Sequence, residues 1–202
     1  MRASSPRDET THCPVCFFRR EICVCPILPV VSAKTEIWIL RHVREAVRPA
    51  NTGRLVALAM PGARVVSCGG GERIGGGRRV FETLPLTGTW LLWPDGPGLP
   101  ADPLRCDAPL RIAVIDATWH QARRLYRQTP CLHQLPKLAL PAPETSRQRL
   151  RKQRRPDGMS TIEAVAAALS LLEGKASARP LEILYDEVVR RSRALRWGEK
   201  KS

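Results

Sequence analysis

The sequence predicts an α/β fold: a mostly parallel sheet flanked by helices, preceded by a small cysteine-bearing module. Three observations carry that prediction. Short apolar runs alternate with helical patterns along most of the chain, as strands joined by helical crossovers do. Two of those runs, "TWLLWP" and "LRIAVID", end abruptly in a proline or a carboxylate, the kind of ending that faces a ligand edge. Four cysteines also crowd into residues 13–25, ahead of the first strand.

Taken in order, residues 1–11 are polar and expected to be disordered, and residues 12–30 form the cysteine module, which ends in Pro26 and Pro29. The main domain then runs over residues 31–202. A strand is expected at 36–40, followed by "RHVREAVRPANTGRLVALAM", in which Asn51 and Thr52 offer an N-cap for a helix over 53–59. Val65 and Val66 suggest a short strand before the glycine-rich "CGGGERIGGGRR". "TWLLWP" reads as a strand stopped by proline and "DGPGLPADP" as a loop. "LRIAVID" is a strand and 118–128 a helix, and "KLALP" reads as another strand before a basic stretch over 143–158. The clearest helix is "STIEAVAAALSLLEG": Ser160 caps it, Glu163 completes a capping box and Gly174 ends it. A last helix is expected over 180–196, and no internal repeat is present.

At 202 residues the chain can bury one sizeable core. It carries 33 Lys and Arg against 19 Asp and Glu, a formal charge of +14, and most of the basic residues are arginine. A planar guanidinium fork suits phosphate, so the balance points to a polyanionic partner, above all nucleic acid. The charge is clustered: "SRQRLRKQRR" places six Arg or Lys residues in ten. No apolar run approaches the ~18 residues of a membrane span, which excludes a transmembrane helix. The N-terminus has no apolar signal core, so a cytoplasmic protein with reduced thiols is expected.

Reduced cysteines at close spacing call for a metal. Cys13 and Cys16 are followed by Cys23 and Cys25, and two such thiolate pairs supply four tetrahedral ligands for Zn²⁺. Four thiolates close the coordination sphere, so the role is structural; His12 is the alternative ligand, and Arg19 and Arg20 beside it offer RNA contacts or a solvated face. Cys68, Cys106 and Cys131 are isolated and read as core or surface thiols. The glycine-rich loop lacks the G-K-[ST] of a phosphate loop and is expected to be a mobile basic surface segment. Thr161 and Glu163 fall in the first turn of their helix, where free N–H groups either bind an anion or simply begin a well-capped core helix. Asp116 has two readings as well, the N-cap of the helix that follows or a polar group at the ligand edge.

Asp116-Ala117-Thr118-Trp119 matches a D-x-T-W motif. Together with the four-cysteine module, "RHVREAVRPANTGRL", "LLWPD" and "STIEA", in that order from about Cys13 to Arg190, it resembles the DTW-domain family. The second block carries His42, Glu45, Asn51, Thr52 and Gly53. Ala117 stands where the family's motif often has glycine. The family is similar to tRNA-uridine aminocarboxypropyltransferases. The resemblance implies a SPOUT-like, knotted α/β fold that takes S-adenosylmethionine as co-substrate and tRNA as partner, with no obligatory protein partner and no membrane. It implies transfer of the 3-amino-3-carboxypropyl group to N3 of a uridine, in the variable loop, with loss of 5′-methylthioadenosine.

On that footing each motif residue has an expected role. Asp116 is the general base or orients the imide and the donor ammonium. Thr118 hydrogen-bonds the donor, and Trp119 stacks on adenine or uracil. Leu92, Trp93 and Pro94 line the adenosine side. Thr161 and its helix N-terminus hold the donor carboxylate, with Glu163 beside them. Arg123, Arg124, Arg147, Arg149, Arg151 and Lys152, with the knuckle, face RNA. The competing readings are an S-adenosylmethionine-dependent RNA methyltransferase, distinguished by its S-adenosylhomocysteine product, and a zinc-knuckle RNA-binding protein without catalysis.

Overall fold

The computed structural model describes residues 10–69, 83–98, 109–143, 148–150 and 158–199. Strands β1 (Glu36–His42), β2 (Arg64–Cys68), β3 (Thr89–Leu92), β4 (Arg111–Asp116) and β5 (Lys137–Leu138) form one sheet. Its order is β2-β1-β4-β3-β5 and every neighbouring pair is parallel. The helices are α1 (Thr52–Ala59), α2 (Trp119–Gln128), α3 (Thr161–Glu173) and α4 (Lys175–Glu199). The expected α/β architecture is therefore present, with helices on both faces.

Strand periodicity sorts the core. On one face Ile37, Ile39, Ile112, Val114 and Leu138 pack with Leu55 and Val56 of α1, Ile162, Val165 and Leu169 of α3, and Leu181 and Tyr185 of α4. On the other, Trp38, Leu40, Leu91, Trp93 and Ala113 meet Leu125 of α2 and Leu132 of the short 3-10 turn Pro130–His133. Successive strand residues point to opposite faces, so one apolar run serves both cores.

The two largest departures from the sequence reading are in the last helix and the fifth strand. The last helix begins at Lys175, five residues before Pro180, because Gly174 (φ 93°) turns the chain and α4 starts at once. Proline suggests a helix start at the sequence level; here it lies inside the helix. The fifth strand is only Lys137–Leu138, ended where Ala139 donates to Pro97 O (2.9 Å) in the loop after β3. The capping box over Ser160 and Glu163 and the N-cap at Asn51 are both formed. No helix among the described residues is long and apolar enough to cross a membrane.

Candidate active site and metal centre

The carboxyl ends of β1 and β4 lie side by side, with Arg41 opposite Asp116. Asp116 follows Ile112 and Val114 in strand alternation, so its side chain turns to the face of α1 and α3, where it is 4% exposed. Both carboxylate oxygens are engaged: Asn51 Nδ2 donates to Oδ2 at 2.7 Å and Thr161 Oγ1 donates to Oδ1 at 2.7 Å. Asn51 is the N-cap of α1, and its Oδ1 accepts the Arg54 backbone N–H at 2.7 Å. Asp116 thus binds the starts of two helices, whose N-terminal dipoles favour a negative group. It is not the cap of the helix that follows it; Thr118 takes that place, with Gln121 completing the box.

Gly53 makes this arrangement possible. A Cβ there would stand 2.6 Å from Asp116 Cγ and Oδ2, so only glycine lets α1 approach the carboxylate. Asn51 and Gly53 belong to the second block that carries the family resemblance, but the sequence assigns neither a contact with Asp116. Their signal was the N-cap pattern before α1, which says nothing about a partner 65 residues away. The same carboxylate acts on Cys68: burial first, then the Asp116 charge, pushes its thiol up to about 12.

The D-x-T-W motif is divided by the sheet. Asp116 lies on the α1 and α3 face, whereas Trp119 opens α2 on the other face, half-buried. There Trp93 packs between Trp119 (centroids 5.3 Å, planes 32° apart) and Tyr126 (4.5 Å, 24°), and Tyr126 continues to the His133 ring at 4.5 Å. Trp93 is buried, Pro94 is exposed and Leu92 packs toward the α1 and α3 core. The loop after β3 is knitted to β5: Trp93 N–H donates to Leu138 O at 3.0 Å, and a Cβ on Gly96 would lie 2.8 Å from Lys137 Cβ.

The cations divide too. Arg123 and Arg124 are exposed on α2. Burial first, then Arg44, Arg124 and Arg48, hold the His42 imidazole below its usual range; its Nδ1 accepts the Arg44 N–H at 3.2 Å. Arg149 differs from the basic face expected of its segment. Its side chain is 13% exposed and its Nε lies 3.2 Å from Glu163 Oε1, because a carboxylate only 4% exposed needs a counter-charge. Glu163 Oε2 meanwhile accepts from Ser160 N–H and Oγ at 2.9 and 2.7 Å, so this pair belongs to the base of α3. Arg147, Arg151 and Lys152, like Cys106 and most of the glycine-rich loop, lie outside the described residues.

The sulfur atoms of Cys13, Cys16, Cys23 and Cys25 all lie within 4.8 Å of one another and could hold a metal ion. Cys13 and Cys25 are 3.6 Å apart and Cys16 and Cys23 3.8 Å. Metal–sulfur bonds of ~2.3 Å at tetrahedral angles require separations of about 3.8 Å, so the donor set fits. Burial raises the Cys13 thiol, but the Cys16 and Val15 backbone N–H groups outweigh it and bring it down to about 6. Burial and then the neighbouring thiols raise Cys25 far above the usual range. Four thiols this close cannot all ionise without a cation between them. His12 is not part of this set; its Nδ1 lies 2.8 Å from Thr11 Oγ1.

A model of the DTW domain matches residues 10–193. The chain belongs to the DTW-domain family. Its DTW domain is 30% identical over 184 residues to tRNA-uridine aminocarboxypropyltransferase 2 of Drosophila melanogaster, covering 88% of this chain and 72% of that protein. Against the protein of the same name from Mus musculus the identity is 29% over 180 residues, covering 82% of this chain and 58% of the mouse protein. tRNA-uridine aminocarboxypropyltransferase A of Arabidopsis thaliana is 28% identical over 141 residues, or 57% of this chain and 50% of the plant protein. The chain therefore spans between half and three-fifths of the length of the mouse and plant relatives. No solved structure matches the DTW chain at a significant level.

Proposed function

We propose that this chain is a tRNA-modifying transferase: it moves the 3-amino-3-carboxypropyl group of S-adenosylmethionine to N3 of a tRNA uridine, in the variable loop. Kinship with the fly and mouse aminocarboxypropyltransferases supports the reaction class. The observation that carries the site is Asp116, fixed by Asn51 and Thr161 at the carboxyl ends of parallel strands, where such sheets bind ligands. S-adenosylmethionine would supply an electrophilic Cγ. As the N3–Cγ bond forms, the Cγ–S bond breaks, 5′-methylthioadenosine departs as a neutral thioether, and the N3 proton is released to solvent or to a base.

The residues have to orient that donor and present the base to it. Each Asp116 oxygen already accepts one hydrogen bond and keeps a further lone pair, which suits holding the donor ammonium or the imide N–H better than acting as a free base. The Thr161 hydroxyl proton goes to Asp116, so the donor carboxylate is held by the Thr161 backbone N–H with its first-turn neighbours of α3, and Glu163 keeps that turn in shape. Leu92, Trp93 and Pro94 line the adenosine side, and Thr118 contacts the donor. The half-buried Trp119 ring stacks on a base. Arg123 and Arg124 hold the phosphate backbone, joined by Arg147, Arg151 and Lys152. Zinc closes the four-cysteine knuckle, and the enzyme works in the reducing cytoplasm.

The reading includes a SPOUT-like knotted chain. The order β2-β1-β4-β3-β5 supports it, since the chain leaves edge strand β5 and returns through α3 to the middle of the sheet against β4.

The deciding experiment incubates purified protein with unmodified tRNA and S-adenosylmethionine, then weighs the nucleosides. A uridine heavier by the aminocarboxypropyl group, with 5′-methylthioadenosine, is the expected result. S-adenosylhomocysteine with a methylated base would replace this reading by methyl transfer.

A further inference from the structure

The metal knuckle is joined to Asp116 by three successive contacts. Phe17, directly after the second knuckle cysteine, has φ 67° and is the one positive-φ residue other than glycine among the described residues. That conformation costs a non-glycine residue roughly 1–2 kcal/mol. Its neighbours impose it: Cys16 must face the other thiols, and Phe18 enters the core, 3% exposed. The turn sends the Phe17 ring to α1, where the Arg54 guanidinium lies 3.1 Å from its centroid. Arg54 also donates through its side chain to Ala46 O, in the loop between β1 and α1. The Arg54 backbone N–H is held by Asn51 Oδ1, and Asn51 Nδ2 holds Asp116.

The knuckle is anchored on its far side as well. Arg191 of α4 donates to Cys23 O and, through Nε, to Glu187 Oε1 at 2.6 Å. Cys13, Cys16, Phe18, Ile22 and Val24 are buried in the same core as Leu55 and Val56 of α1. A module fastened on both sides acts as part of the domain's frame.

We infer that Phe17 and Arg54 are positioning residues: the metal-closed knuckle holds the first turn of α1 through the Phe17 ring, and so holds the Asn51–Asp116 contact. The consequence for transfer rests on the proposed role of Asp116; the mechanical coupling does not. Phe17→Gly tests it, because glycine accepts the positive φ and removes only the ring. Phe17→Tyr keeps the ring.

The measurements use full-length, metal-loaded protein: zinc content, hydrogen exchange of the amides at residues 52–56, S-adenosylmethionine affinity by calorimetry, and transfer to tRNA. Phe17→Gly should keep its zinc, exchange those amides faster and lose roughly tenfold to a hundredfold in transfer. Phe17→Tyr should restore both. If Phe17→Gly sheds its zinc or misfolds, Phe17→Leu, which keeps an apolar side chain but removes the ring, and Arg54→Ala, which also removes the Ala46 hydrogen bond, should both give the same pattern with zinc retained.

Unchanged exchange in a zinc-loaded variant overturns the coupling. Faster exchange with wild-type donor affinity and transfer overturns the positioning role. If the wild-type protein makes no aminocarboxypropyl product, the functional reading falls, while the exchange comparison still decides whether the knuckle holds α1.

Discussion

The two faces of the sheet meet the same carboxyl edge in opposite ways. On the α1 and α3 side, Asp116 is buried, both its oxygens accept hydrogen bonds, and Gly53 closes over it. On the α2 side, Trp119 is half-buried, Thr118 is exposed, and Arg123 and Arg124 reach solvent. One face is a clamp of mutually hydrogen-bonded groups; the other is an open surface with aromatic and cationic groups to offer. In the proposed function, donor positioning falls to the closed face, because buried, mutually bonded groups resist displacement. The same proposal gives contact with the RNA to the open one.

Breaking the clamp should have the largest effect. Asp116→Ala is expected to abolish transfer and to destabilise the fold by about 1–3 kcal/mol, since the buried Asn51 amide and the half-buried Thr161 hydroxyl lose their partner. Urea unfolding beside product analysis checks both; wild-type transfer in a folded Asp116→Ala protein removes the residue from the chemistry. Gly53→Ala comes next. A methyl 2.6 Å from the carboxylate must push α1 away. We expect a loss of roughly 1–3 kcal/mol in stability and a further loss of transfer beyond what instability explains.

The open face should respond differently. Trp119→Ala should weaken binding of tRNA or donor by about 1–3 kcal/mol, read from titrations, while the unfolding midpoint moves less than for Gly53→Ala. Arg123→Ala and Arg124→Ala should each lower the slope of log affinity for tRNA against log salt by about 1, with stability within ~0.5 kcal/mol of wild type. An unchanged salt slope in the double variant would move the RNA away from α2.

The smallest effect is on pH dependence. His42 is held below its ordinary value of 6.5 in the fold, so the unfolded chain takes up that proton first as pH falls. Its contribution is complete above the ordinary imidazole range and is lost as pH drops below it. His42→Gln should flatten the difference in melting temperature between pH 7 and pH 5; an undiminished difference assigns the acid sensitivity elsewhere.

Much of this was legible in the linear sequence. The run Ile112–Ile115 and the block from Glu36 announce strands, and Ser160 with Glu163 announces α3, because these signals are local and periodic. The four cysteines announced a metal-ligand set, because ligand spacing is itself a local constraint. Local signals fail where the deciding partner is distant. Arg149 lies in a run of like charges and reads as a surface cation, but Glu163 draws it inward. Pro180 reads as a helix start, but Gly174 allows α4 to begin earlier.

The sequence by itself determined the element types, a four-cysteine set that could hold a metal, the excess of positive charge and the presence of a carboxylate at a strand end. Each depends on residue chemistry and on spacings shorter than about two helical turns. Only the tertiary structure decided that Asp116 and Trp119, three residues apart, serve opposite faces, and that Asn51 and Thr161 meet on one carboxylate. The reason is physical: strand alternation separates near neighbours, and sheet order brings together residues 45 and 65 positions apart.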